Sequence, residues 1–246
     1  DKKIFMTDVI GIIPARSGSK TVKNKNIKML NGHPLIAYSI VAALVSEKID
    51  RVIVTTNSTQ YRDIALKYGA EVPFIRPDEF SLDTSTDRDF LIHSMKWFET
   101  NEDKIPEYWV HLRPTTPLRL PENIDNAIDM ILKFTNATSL RSVHKSPESP
   151  LKWFFKNGDF LEGIVSDEKY NLPKESFKDV FIPNGYVDIL KASYMLNNKK
   201  IHGDQILCYE TPYSVEVDSI EEFKYLEYLC KNGETFLLDE MNKAIK

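Results

Sequence analysis

The sequence predicts an α/β fold of three layers, αβα, with a mostly parallel sheet and one small insertion lobe. Short apolar runs recur at 9–13, 51–56, 71–75 and 108–112, separated by longer stretches in which apolar residues follow helical spacing. Alternation of strand and helix is satisfied by parallel strands joined through right-handed crossovers. With 246 residues and 42% hydrophobic content the chain can bury one large core, so a single domain over 1–246 is expected. The periodicity breaks down between 144 and 182, which reads as a lobe inserted within that domain.

The first run, VIGII at 9–13, is a buried strand that empties into Pro14, Ala15, Arg16 and the turn Ser17-Gly18-Ser19. Arg16, Lys20, Lys23 and Lys25 follow within ten positions, ending at Asn26. Small residues let an anion approach backbone N–H groups, Gly18 permits positive φ, and the cations neutralise several phosphate oxygens together. In open α/β sheets ligands sit at the carboxyl ends of strands, so this loop is a candidate polyphosphate seat. An apolar helix over 35–45 follows Pro34, which suits a first turn. A second strand at 51–56 precedes a helix over 59–68 stopped by Gly69. The third strand, 71–75, leads into Arg76-Pro77.

The polar stretch PDEFSLDTSTD offers Asp83 or Thr84 as the cap of the next helix. Strand 108–112 opens into Arg113-Pro114-Thr115-Thr116-Pro117-Leu118-Arg119, a stiff loop whose two arginines suit phosphate or carboxylate. A helix over 121–134 and a strand over 137–143 come next. Within 144–182 an Asn157-Gly158 hairpin is expected, and Trp153, Phe154, Phe155 and Phe160 belong to core or subunit interface rather than a ligand cage. A strand VDIL follows Pro183-Asn184-Gly185-Tyr186. A further strand spans 206–217, and Ser219 caps a last long helix ending near Gly233. Alternation places Glu216 and Asp218 on one side of that strand, where two carboxylates could hold magnesium; the same residues also read as a helix cap beside an incidental Glu.

Composition narrows the partners. A net charge of −4 argues against general nucleic-acid binding, so the basic loop is a local anion site. Two cysteines far apart, Cys208 and Cys230, provide neither a disulfide framework nor zinc spacing. No apolar run reaches membrane-spanning length, and the start DKKIFMTDV lacks the apolar core of a secretory signal, so no membrane partner and a cytoplasmic location are expected.

In order and spacing, IIPARSGSKTVKNKN, FIRPDEFSLDTSTD, LRPTTPLR, PNG and EVD resemble the acylneuraminate cytidylyltransferases, or CMP-sialic acid synthetases, and their relatives for other nonulosonic acids. The resemblance spans nearly the whole chain. It implies a Rossmann-like nucleotidyltransferase fold, CTP and a 2-keto sugar acid as substrates, Mg2+ as cofactor, and a homodimer in which the 144–182 lobe reaches the partner. It also implies roles. Arg16 and Lys25 become catalytic, with Lys25 countering charge at the α-phosphate. Ala15, Ser19, Asn26, Arg76 and Ser85 become nucleotide-binding. Arg113, Thr115, Lys169, Asn184, Gly185 and Tyr186 line the sugar site, and Asp218 with Glu216 holds the metal.

The chain departs from the family pattern at several points. Thr21 replaces a common glycine, and Arg113 a common glutamine. Lys169 and Ile182 lie where arginines are familiar, and Tyr186 and Asp188 change the stretch after PNG. These departures move the expected acid from N-acetylneuraminate to a relative such as legionaminic acid. Two rival readings are a nucleotidyltransferase for another sugar or sugar phosphate, and a non-catalytic sugar-nucleotide-binding protein. A dinucleotide-binding dehydrogenase is disfavoured because Gly18 has no companions in a GxGxxG pattern.

Overall fold

The structure, a computed structural model, describes residues 8–165, 168–233 and 236–244. The stretch 1–7, read above for a signal core, lies outside them. In chain order the elements are β1 (Val9–Pro14), the short hairpin β2 (Met29–Leu30) and β3 (His33–Pro34), α1 (Leu35–Val45), β4 (Arg51–Thr55), α2 (Thr59–Lys67), α3 (Asp87–Glu102) and β5 (Tyr108–His111). There follow α4 (Pro121–Lys133), β6 (Ser139–Lys145), the hairpin β7 (Phe154–Asn157) and β8 (Phe160–Gly163), β9 (Phe181–Lys191), α5 (Ala192–Asn197), β10 (Ile206–Glu210), α6 (Ile220–Asn232) and α7 (Phe236–Ala244).

Six strands form one sheet in the order β10-β6-β9-β5-β1-β4. It is parallel except for β9, which runs against both β5 and β6. Alternation along β1 sends Val9 and Ile13 to one face and Ile10 and Ile12 to the other, and both faces are covered. Helices α1, α2, α4, α6 and α7 close the first face over Ile13, Val54, Val110 and Ile189. Helices α3 and α5 close the second over Ile12, Ile53 and Trp109. Nine consecutive residues of α1, Leu35 to Ala43, are buried, which explains why that helix reads as apolar all round. A fully buried Leu or Ile contributes about 2 kcal/mol, so this two-sided burial is the main support of the sheet.

Four local expectations change. Segment 71–75 makes only isolated parallel bridges, Ile53 to Glu71 and Thr56 to Ile75, because Pro73 cannot donate to a ladder. The strand expected as VDIL is an eleven-residue β9 with a bulge: between paired positions Arg141/Asp188 and Val143/Pro183, one residue of β6 faces four of β9. Strand β10 ends at Glu210, two residues before Pro212, so the EVD triplet lies in the extended segment beyond it. Val215 and Val217 there are nevertheless buried and Glu216 and Asp218 point outward, as alternation requires. Helix α3 is capped by Thr86, whose N–H and hydroxyl both donate to the Asp89 carboxylate, and not by Asp83 or Thr84. The lobe between β6 and β9 carries the β7-β8 hairpin, and its Trp153, Phe154, Phe155 and Phe160 are exposed.

Candidate functional site

A cleft of about 380 Å³ opens where β1 and β5 end. Its walls come from the loop after β1 (Arg16, Ser19, Lys20, Thr21, Lys25, Asn26), the segment before α3 (Arg76, Phe80, Asp83, Ser85, Thr86) with Asp87 and Phe90 of α3, and the end of β5 with its loop (His111, Arg113, Pro114, Thr115). Chain order thus separates three stretches that the sheet brings to one crevice.

The basic loop is anchored at several points. Ala15 N–H donates to the Thr55 carbonyl at 2.9 Å, while Ser17 N–H and hydroxyl both donate to Asn57 Oδ1. Buried Asn26 donates through Nδ2 to the Arg16 carbonyl at 3.1 Å. Gly18 has φ +81°, so the turn uses its conformational freedom, whereas Thr21 is absent from the positive-φ residues and a side chain there costs no strain. Each cation of the loop that faces the cleft has a carboxylate partner. Arg16 Nη1 is 2.8 Å from Asp83 Oδ1, and Lys20 pairs with the other oxygen of the same carboxylate. These partners hold the Asp83 carboxyl below its ordinary value, Lys20 more than Arg16. Lys25, with its side chain 12% exposed, donates to the Val217 carbonyl at 2.8 Å and to Asp218 Oδ1 at 3.1 Å.

Arg76 is buried beneath the cleft. It donates to Thr55 Oγ1 at 3.0 Å and the Thr55 carbonyl at 2.5 Å, and stacks 4.9 Å above the Phe90 ring. Burial, and secondarily Arg16, lowers its pKa to about 10. Ser85 accepts from Leu82 N–H and donates to the Glu79 carbonyl, holding the loop that carries Asp83.

The cleft also borders a polar network that sequence reasoning did not assemble. Cross-strand register puts His111 of β5 and Arg141 of β6 opposite Asp188 of β9, all on the face covered by α3. Arg113 bridges Asp188 Oδ2 and Asp87 Oδ2, each at 2.8 Å, and Arg141 reaches Asp188 Oδ1 at 3.4 Å. Burial pushes the Asp188 carboxyl up, but Arg113 and then Arg141 outweigh it and hold the group below the ordinary carboxylate value. His111 is wholly buried and its pKa lies well below 6.5, from burial first and Arg113 second, so it is neutral. Its Nδ1 is 4.0 Å from Asp87, and Nε2 has no hydrogen-bond partner. The signal in the sequence was the alternation of polar residues into otherwise apolar strands, at His111 in YWVHL and Asp188 in YVDIL.

The predicted site residues fall into two groups. Arg16, Ser19, Lys25, Asn26, Arg76, Ser85, Arg113 and Thr115 all line the cleft. Ala15 is fully buried behind it. Asn184 is buried, donating to Thr211 Oγ1 at 2.7 Å, and Gly185, at φ +63°, packs its backbone against Thr116 and Arg113. Tyr186 points to the opposite face, its hydroxyl accepting from Leu120 N–H and Asn123 Nδ2 above α4, so it supports the core instead of touching the cleft. Lys169 sits in the lobe, away from the cleft walls of this chain. Glu216 accepts from Thr115 Oγ1 at 3.2 Å, and Asp218 is 70% exposed beside Lys25. Among the described residues no group of three or more His, Cys, Asp or Glu side chains is placed to hold a metal. Arg119, grouped with Arg113 as an anion donor by sequence, is fully buried and donates to the carbonyls of Tyr186, Arg113 and Gly185 and to Ser39 Oγ. It is a clamp between loops, not a ligand contact.

Comparison with known proteins gives the chain's relatives. The chain is 33% identical over 220 residues to an N-acylneuraminate cytidylyltransferase of Escherichia coli, covering 89% of this chain and 51% of that protein, so it spans about half the relative's length. It is 29% identical over 235 residues to a CMP-N,N'-diacetyllegionaminic acid synthase of Legionella pneumophila, covering 94% and 99%. The fold matches that of a CMP:2-keto-3-deoxy-manno-octonic acid synthetase solved with CTP, with a TM-score of 0.70 at 13% identity over 91% of this chain and 98% of that one. Among the described residues no helix is long and apolar enough to cross a membrane. The profile of the cytidylyltransferase family matches residues 10–231, and the chain belongs to that family.

Proposed function

We propose that the protein transfers CMP from CTP to the anomeric hydroxyl of a 2-keto nonulosonic acid, releasing pyrophosphate. The observation that carries this reading is that Arg16, Lys20 and Lys25 line one cleft together with Arg113 and Asp87. The loop cations suit a triphosphate and the Arg113 network a polyhydroxylated acid. Phosphoryl-type transfer demands positioning and charge neutralisation more than covalent chemistry. Arg16 and Lys20 exchange Asp83 for triphosphate oxygens, and Lys25 opposes charge developing at the α-phosphate. Arg76 and Ser85 shape the nucleoside side, while Asn26 fixes the loop through the Arg16 carbonyl.

Magnesium prefers one or two carboxylates completed by phosphate oxygens and water. The donor set here fits that preference: Glu216 and Asp218 project from the same side of an extended segment, and Thr115 and Lys25, which contact them, line the cleft. They would hold the ion, which when bound supplies further neutralisation of the phosphates. The exposed aromatics of the lobe support a homodimer, in which Lys169 serves the partner's sugar site. Light scattering tests the dimer. Pyrophosphate release from CTP, measured with a panel of 2-keto acids, tests the reaction: turnover with a nonulosonic acid is expected, and turnover only with sugar phosphates would overturn it. Of the acids, a legionaminic-type diamino acid is expected to outrun N-acetylneuraminate.

A further inference from the structure

We infer that Asp87 is a specificity-determining residue of the cleft: its carboxylate accepts a hydrogen bond from a donor substituent of the sugar acid, a hydroxyl or an acylamino N–H. Arg113 serves as its brace and does not receive the acid's own carboxylate. This inference rests on the reading proposed above.

A free guanidinium at 113 would be an obvious receptor for the carboxylate of a 2-keto acid. Here both of its terminal nitrogens are engaged, one by Asp188 and one by Asp87, each at 2.8 Å. Asp188 is almost wholly buried, and among the described residues its other cationic partner is Arg141 at 3.4 Å. A third carboxylate brought to Arg113 would meet two others already bound there, and like charges at that spacing repel. His111, neutral by burial, adds no positive charge.

Geometry then singles out Asp87. Its side chain is 42% exposed, against 22% for Arg113 and 1% for Asp188, and it lines the cleft at the first residue of the sixteen-residue helix α3. A carboxylate at the N-terminal end of a helix meets the positive end of its dipole. One oxygen, Oδ2, is taken by Arg113, which fixes the plane of the group; an acceptor-only carboxylate retains lone pairs for a further donor. Bulging of β9 permits this arrangement. Gly185 sits at φ +63°, and a Cβ there would lie 3.5 Å from Arg113 Cδ and 3.2 Å from Thr116 Oγ1, so a side chain would crowd the brace.

The test compares the full-length protein with Asp87→Asn and Asp87→Ala, measuring KM separately for CTP and for the best nonulosonic acid. Either substitution is expected to raise KM for the acid tenfold or more and leave KM for CTP within twofold. A series of acids each lacking one hydroxyl or acylamino group supplies the second readout. One of them should be penalised with the wild type and not with Asp87→Ala. Equal rises in both KM values, or an unchanged KM for the acid, would overturn the inference while the reaction stands. Absence of wild-type turnover with any 2-keto acid would overturn the underlying reading and the inference with it. Melting temperature, followed alongside, separates a folding defect from a lost contact, and Arg113→Gln should reproduce part of the acid-specific loss.

Discussion

Lys25 and Asp218 are 193 residues apart in sequence and 3.1 Å apart in space, and the same ammonium caps the Val217 carbonyl. The contact joins the first loop of the chain to the segment before α6. It also means that the cation proposed to oppose charge at the α-phosphate is held in place before any ligand arrives. Lys25→Ala should therefore lower kcat by about 100-fold or more, the scale of losing one pre-positioned electrostatic donor, with little change in the KM of the acid. Steady-state kinetics on the purified variant checks this, and unchanged production of CMP-sugar would remove Lys25 from the reaction. Asp218→Asn should instead be rescued in part by raising magnesium.

Asp83 pairs with the cations proposed to hold the triphosphate, and on that reading it competes with CTP for them. Both its oxygens are used, one by Arg16 and one by Lys20. Exposed ion pairs of this kind are weak and screened by solvent, so Asp83→Asn should tighten CTP binding by about two- to fivefold. Arg16→Ala should weaken it. Calorimetric titration at two salt concentrations decides the matter: the advantage of Asp83→Asn should shrink at high salt. Weaker binding in Asp83→Asn would show that this carboxylate orders the loop for the ligand.

The distribution of what was legible in the sequence follows from range. Strands β1, β4 and β5 and helices α1 to α4 were readable because burial on one or both faces leaves a local period. The cations of the first loop were readable because six of the cleft residues lie within eleven positions, Arg16 to Asn26. The Arg113 network was not, because it is assembled from α3, β5, β6 and β9, and only register says that Asp188 faces both His111 and Arg141. Tyr186 was misplaced for a related reason: the bulge at Asn184-Gly185 shifts the alternation of β9, sending its ring to the α4 side. Arg119 was misread because a cation beside Arg113 looks like a second donor until its burial is known.

That burial makes a prediction about stability. Arg119 spans the loop after β5 and the bulge of β9 through four hydrogen bonds, three to carbonyls that no water can replace at zero exposure. Arg119→Met removes the donors and leaves acceptors unsatisfied, at about 1–3 kcal/mol for each. A loss of about 3 kcal/mol or more is expected, which for a domain of this size lowers Tm by about 6–12 °C. Thermal unfolding followed by circular dichroism measures it. CTP affinity of the folded fraction should stay near wild type, whereas a large loss of affinity at unchanged Tm would mean that Arg119 contacts ligand after all.

Acid should weaken the fold in a window set by histidines. Burial, the largest cause in each case, lowers His93 and takes His202 down to about 4 and His111 well below 6.5. Between about pH 6.5 and pH 4 the unfolded chain therefore binds protons that the native chain does not. Stability is fully present above 6.5 and falls as pH drops through that window. The depressed carboxyls of Asp188 and Asp83 act lower down: their contribution is present above the ordinary carboxylate pKa and is lost only as pH falls through their native values. Denaturant titrations at half-unit pH steps should show a flat region near neutrality and a decline below 6.5. His202→Asn should reduce the slope of that decline by about one proton. A slope unchanged by His202→Asn would show that His202 ionises in the native state.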